Sequence, residues 1–150
     1  MLPEIRTLLP HTNKMVLLDR VIAVETDTLS AEVIITAESL FYDKAVNGVG
    51  AWVGIEYMAQ AIAAWAGYKR LLQGGSVKIG FLVGTRRYET SRSFFAEGSI
   101  LQIHVRCLLQ ANNGLASFEC TIDEAQLPIA SATLNVFQPN DLGEFLQPYA

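Results

Sequence analysis

The spacing of apolar positions changes twice along the chain. Met15–Glu25 (MVLLDRVIAVE) and Ser30–Thr36 (SAEVIIT) are short apolar runs of strand type, and Thr26-Asp27-Thr28 between them is turn chemistry. The pattern lapses over residues 37–50, where Asp43, Asn47, Gly48 and Gly50 predict an irregular loop. It then becomes helical: Trp52, Ile55, Ala59, Ile62 and Ala66 recur at three-and-four spacing and predict one continuous apolar face. Asn47 is placed to cap the helix start, Lys69 and Arg70 suit the negative end of its dipole, and Gly74-Gly75 ends it.

After the glycines the period falls to two. Lys78–Val83 predicts a strand. In Ile100–Leu109, Ile103, Val105, Cys107 and Leu109 share one face, with Gln102, His104 and Arg106 on the other. Asn112-Asn113-Gly114 is a hairpin signal, and Leu115–Ile122 then puts Phe118, Cys120 and Ile122 on one face. With Asn113-Gly114 as the turn, Cys107 lies opposite Cys120 on the same face, and the pair is read as two buried reduced thiols in preference to a disulfide. Ala130, Ala132, Leu134 and Val136 mark a last strand. Two strands, one long apolar helix and about four more strands predict an α+β fold: a single domain, 1–150, with an antiparallel sheet wrapped around a central helix. Sheet edges and a half-wrapped helix leave surface that a second chain would cover, so a dimer is expected.

Composition narrows the partners. The chain has 150 residues, 51% hydrophobic and 17% charged, with a net charge of -4, which fits a packed globular protein and argues against nucleic acid. Val46–Ala66 is apolar enough to suggest a membrane span, but Glu56 would then sit near the bilayer centre at a cost of roughly 3 kcal/mol. The start carries Glu4 early and lacks a long apolar core, which argues against a signal peptide, so the expected compartment is the cytoplasm.

That same Glu56 is the one carboxylate in the apolar stretch VGIEYMAQAIAAWAGYKRL, residues 53–71. LLPHTNKMVLLDRVI (8–22) resembles the opening of the hotdog-fold 3-hydroxyacyl-ACP dehydratases, with its Pro-His pair and its Asp-Arg-Val. GIEYMAQAIAAWAG (54–67) is similar to that family's helix, which carries Glu-x-Met-Ala-Gln. More narrowly, GVGAWVGIEYMAQAIAAWAG, IGFLVGTRRYETS and LNVFQP look like the dehydratase-like hotdog proteins of aryl polyene clusters. The resemblance implies a hotdog fold and elimination of water from a 3-hydroxyacyl thioester carried by an acyl carrier protein. There is one departure. The family's catalytic histidine, in a Gly-His-Phe-Pro loop fourteen residues before the glutamate, has no counterpart here: the stretch reads FYDKAVNGVG, and Tyr42 falls at that place.

The chemistry needs a base at C2, an acid for the departing hydroxyl and donors for the enolate-like thioester oxygen. The start of the helix offers unpaired N–H groups, and Gly48 and Gly50 would let a thioester approach them. Apolar surroundings favour the uncharged form of a carboxyl, which suits Glu56 as the acid. The alternative is a structural Glu56 bonded to loop amides or to Gln60. His11 is the one candidate base, or else it anchors the N-terminal segment; His104, on a polar strand face, is read as solvated. Tyr42, Gly50, Trp52 and Gln60 are expected around the substrate, with Gln60 supporting Glu56, and Trp52, Trp65 and Phe81 either line an acyl tunnel or belong to the core. Arg86, Arg87 and Arg92 form either a patch for an acidic carrier protein or a solvated strand end. No metal-ligand spacing or nucleotide fingerprint occurs, and the reaction needs no cofactor. Two rivals share this frame: an incomplete subunit working in a heterodimer, and an acyl thioesterase.

Overall fold

The computed structural model describes residues 2–9, 15–75 and 81–137, and the side chains of all of these except 81–83 and 86. A short helix α1 (Ile5–Leu8) precedes β1 (Arg20–Val24) and β2 (Thr28–Ile34). Two short strands follow, β3 (Tyr42–Asp43) and β4 (Gly48–Gly50), then a 3₁₀ turn (Ala51–Val53) that runs into α2 (Gly54–Leu72). Five strands complete the order: β5 (Phe81–Thr90), β6 (Phe94–Ala96), β7 (Ile100–Gln110), β8 (Leu115–Glu124) and β9 (Leu127–Phe137).

Six strands form one antiparallel sheet in the order β1-β2-β7-β8-β9-β5. Its inner face packs on α2: Leu29 and Ala31 of β2, Ile103 and Val105 of β7, and Phe118 and Ile122 of β8 are all buried in one cluster with Met58, Ala61 and Trp65. The α+β layout therefore follows the sequence pattern, with period-two strands cupping one helix. No helix among the described residues is long and apolar enough to cross a membrane.

The structure departs from the sequence reading at several points. The first strand begins at Arg20 rather than Met15, because the Leu17 amide bonds to Gln60 of α2 instead of to a neighbouring strand. Residues 37–50 are not all loop: β3, β4 and β6 make a second, three-stranded sheet. Asn47 does not cap α2, since it sits between β3 and β4 at φ 50 and α2 has no side-chain cap. The predicted apolar face is also rotated. Ile55, Ala59 and Ala66 are only half-buried, whereas Gly54, Tyr57, Met58, Ala61, Ala64 and Trp65 are buried; a helix apolar on nearly every side does not announce which face the sheet will take.

The cysteines do not face each other. The β7–β8 turn takes three residues, 112–114, with Gly114 at φ 96, and a bulge follows between Cys107 and Leu109. These two extra residues put Cys107 opposite Phe118 and Cys120 opposite Val105. Both thiols are free, and burial pushes the Cys120 thiol up to about 12. The same bulge turns Leu109 outward, to 66% exposure.

Candidate functional site

The first turn of α2 carries Glu56, half-buried. One turn on, Gln60 is completely buried, and its amide makes three hydrogen bonds. Its Nε2 donates to Glu56 Oε1 (3.1 Å) and to the Met15 carbonyl (2.6 Å), and its Oε1 accepts from the Leu17 N–H (2.9 Å). Gln60 therefore fastens the carboxyl and the segment before β1 to one point on the helix. At the other end of that segment, the Leu8 carbonyl lies against Gly67, where a Cβ would overlap it. His11 lies outside the described residues; the five residues 10–14 connect two anchored stretches, one at Leu8–Leu9 and one at Met15–Leu17.

Around the helix start, the Ala51 N–H donates to the Ser93 carbonyl (3.0 Å) and the Tyr88 hydroxyl donates to the Ala51 carbonyl. Tyr88 comes from β5 and its hydroxyl rests against Gly54, leaving no room for a side chain there. Burial pushes its phenol up to about 12. Sequence reasoning gave Tyr88 no role; a strand tyrosine carries no signal until the topology brings its tip to the helix. No side chain caps α2; the 3₁₀ turn feeds straight into it, so that the Gly54 N–H bonds back to the Ala51 and Trp52 carbonyls and the Ala51 N–H to the Ser93 carbonyl.

The glycines before the helix serve packing. The space beside Gly48 is taken by the Phe95 carbonyl of β6, and that beside Gly50 by the Trp52 indole. This differs from the expectation that both stand open to a thioester. Trp52 is 64% exposed and stacks edge-on with Phe41 (5.3 Å between centroids), so it covers the approach to Gly50 from outside rather than lining an internal tunnel. Trp65 is core: it packs edge-on against Phe118 and donates to the Thr26 carbonyl. The Phe81 side chain lies outside the described residues.

Tyr42, on β3, donates to Glu97 Oε1 (2.6 Å), and that bond raises its phenol above the ordinary value. Tyr42 also lines a cleft of about 740 Å³ enclosed by α1, residues 16–19, the end of β2 and the 36–44 loop. Tyr57, the residue after Glu56, forms part of the same wall. Of the three arginines, Arg87 is exposed at φ 52 in a bulge of β5, Arg92 is paired with Glu124 (2.7 Å), and the Arg86 side chain lies outside the described residues. His104 sits on the outer sheet face but is held there, with Nδ1 at 2.7 Å from Ser30 Oγ and Nε2 at 3.3 Å from Asp123 Oδ2. No cluster that could hold a metal occurs among the described residues.

A chain of the dehydratase heterocomplex ApeI:P from Xenorhabdus doucetiae is 30% identical, with 98% of this chain and 99% of that one covered, at a TM-score of 0.90. Two more distant structures support the fold alone. The E. coli PaaI protein of the phenylacetic acid degradation operon has 14% identity, 78% and 80% coverage and a TM-score of 0.60. A hypothetical thioesterase with coenzyme A from Streptococcus pneumoniae TIGR4 has 10% identity, 79% and 84% coverage and a TM-score of 0.60. The sheet-around-helix architecture is thus the hotdog fold. No curated protein matches the sequence. Residues 3–147 match the ApeP-like family, described as ApeP dehydratase, and the chain belongs to that family.

Proposed function

We propose that this chain eliminates water from a 3-hydroxyacyl thioester on an acyl carrier protein, in the cytoplasm, as one subunit of a heterodimer with a second hotdog protein. One observation carries the reading: Glu56 stands in the first turn of an uncapped helix, clipped by Gln60 to the segment that follows His11. In the reaction a base removes the C2 proton and the C2=C3 bond forms. The C3–O bond then breaks, and Glu56 protonates the departing oxygen so that it leaves as water. The positive end of the α2 dipole would stabilise the thioester oxygen as its charge builds. His11 is the base in this scheme. His104, the one histidine among the described residues, is bound to Ser30 and Asp123 on the outer sheet face.

The heterodimer reading is favoured by the relative in the ApeI:P heterocomplex and by the missing loop histidine, whose place Tyr42 takes with its hydroxyl committed to Glu97. Arg87, exposed on β5, would meet the acidic carrier protein. The test is to assay the chain, alone and with an ApeI-type subunit, by mass spectrometry of the enoyl thioester. Glu56→Gln is expected to cut enoyl product by about 10²–10⁴-fold without loss of folding. An equally active Gln variant removes Glu56 from the mechanism, and an equally active His11→Gln variant moves the base to the partner. Release of free thiol in place of enoyl product would identify a thioesterase instead.

A further inference from the structure

Ala51 opens the 3₁₀ turn that leads into α2, and it is held from two sides. Its N–H donates to the Ser93 carbonyl (3.0 Å), and its carbonyl accepts from the Gly54 N–H and from the Tyr88 hydroxyl. The Gly54 bond belongs to the turn itself; the Tyr88 bond comes from β5, an edge strand of the large sheet. The same hydroxyl occupies the space where a Cβ on Gly54 would lie, so Tyr88 touches both the first residue of the turn and the first residue of the helix. The strand is shaped to deliver it. Thr85 and Thr90 stand opposite Leu134 and Ala130, which are buried in the core, while Arg86 and Glu89 stand opposite Thr133 and Ser131. Between Arg86 and Glu89 the strand has two residues, Arg87 and Tyr88, where β9 has Ala132 alone. Strict alternation from Thr85 would turn Arg87 inward and Tyr88 outward. The bulge reverses this: Arg87 takes the left-handed conformation, φ 52, and stays exposed, and Tyr88 points to the helix. A non-glycine residue in that region is uncommon and strained, and bulges beside active sites re-aim side chains.

We infer that Tyr88 is a positioning residue for the elimination, aiming Glu56 by fixing the turn from which α2 starts; the inference rests on the dehydratase reading above. Glu56 lies two residues beyond Gly54 in the same helix. Gln60 holds its carboxyl from the C-terminal side, and Tyr88 holds the backbone from the N-terminal side. Burial pushes the Tyr88 phenol up to about 12, so the hydroxyl keeps its proton through the neutral range and remains a donor. Without that hydroxyl the Ala51 carbonyl still has the Gly54 N–H, so no buried group is orphaned and the fold survives. What goes is the alignment of the acid with the departing oxygen, and a misplacement of about 1 Å can lower a rate by about 100-fold. Tyr88 itself touches no reacting atom in this scheme; it acts through Ala51 and Gly54.

The test is Tyr88→Phe, assayed in the full chain together with an ApeI-type subunit. Its kcat is expected to fall about 10- to 100-fold while KM stays within about two-fold of the parent, because the acid is needed only as the C3–O bond breaks. An unchanged kcat, a loss no larger than the folded fraction explains, or a raised KM at parental kcat overturns the inference. A second measurement reads the contact without turnover. Gly54→Ala is expected to lower the Tm of the parent chain, and to lower it far less in a chain that also carries Tyr88→Phe, where the methyl takes the place of the absent hydroxyl. Equal Tm losses in the two backgrounds show that the hydroxyl does not hold the turn, and overturn the inference as well. If the parent pair forms no enoyl product, the dehydratase reading fails, and the two Tm losses still decide whether Tyr88 fixes the start of α2.

Discussion

The two ends of α2 are finished differently. At the C-terminal end every device serves closure. Gly74 stands at φ 79 and the Gly75 N–H reaches back to the Arg70 carbonyl (2.8 Å), which ties off the last turn. Lys69 donates to the Thr26 carbonyl (2.9 Å) with its ammonium 4.6 Å from the centroid of the Trp65 ring. At the N-terminal end no side chain caps the helix, a 3₁₀ turn leads in, and a half-buried acid, a buried amide and the tip of Tyr88 gather within its opening turns. One end has been closed for stability. The other gathers polar groups around a half-buried acid, which is where the proposed elimination would take place.

Four measurements can break or sharpen this contrast, the largest effect first. Gln60→Leu leaves the Leu17 N–H and the Met15 carbonyl without their partner, at about 1–3 kcal/mol each in urea unfolding. It should also lower elimination by more than the lost folded fraction explains; an active Gln60→Leu chain would show that the clip serves folding only. Gly67→Ala drives a methyl into the Leu8 carbonyl and is expected to cost about 1–3 kcal/mol by the same method, as overpacking does. Lys69→Met removes the ammonium from Trp65 and should cost about 1 kcal/mol while leaving elimination unchanged. Lost activity there would mean that the C-terminal end also serves the chemistry.

The smallest effect concerns pH. Arg92 and Glu124 brace the turn into β6, whose neighbour Ser93 holds the Ala51 N–H. The Glu124 carboxyl lies below the ordinary value, chiefly through the Ser99 hydroxyl, with partial burial opposing and Arg92 assisting. A depressed folded value means the unfolded chain binds the proton more readily. The stability from Glu124 is therefore fully present above the ordinary carboxylate value and is lost as pH falls through the lowered one. Thermal melts of Glu124→Gln against the parent chain should differ by no more than about 1 kcal/mol near neutrality and converge in acid. A difference that persists in acid would show that the pair is not the cause.

Much of the fold was legible because periodicity survives folding. The span of the helix and its Gly74-Gly75 end, the β8 face, the β7 face as far as Val105 and the closing strand stand where alternation and three-and-four spacing put them. What escaped had no local signal. The small sheet of β3, β4 and β6 is made of two- and three-residue strands, too short to show a period. The cysteine register failed on one extra turn residue and one bulge, neither visible in composition. At the site, Glu56 and Gln60 were readable because a charge and an amide stand out in an apolar helix. Tyr88 carries no such signal, and only tertiary placement gives its hydroxyl meaning.

The Gln60 amide has a directional consequence. The Leu17 N–H needs an acceptor and the Met15 carbonyl needs a donor, so the amide cannot be turned over without breaking both bonds. Its nitrogen must therefore point a hydrogen at Glu56 Oε1. The two carboxyl oxygens of Glu56 are thereby made unlike, and one neutral side chain sets which of them faces the clip.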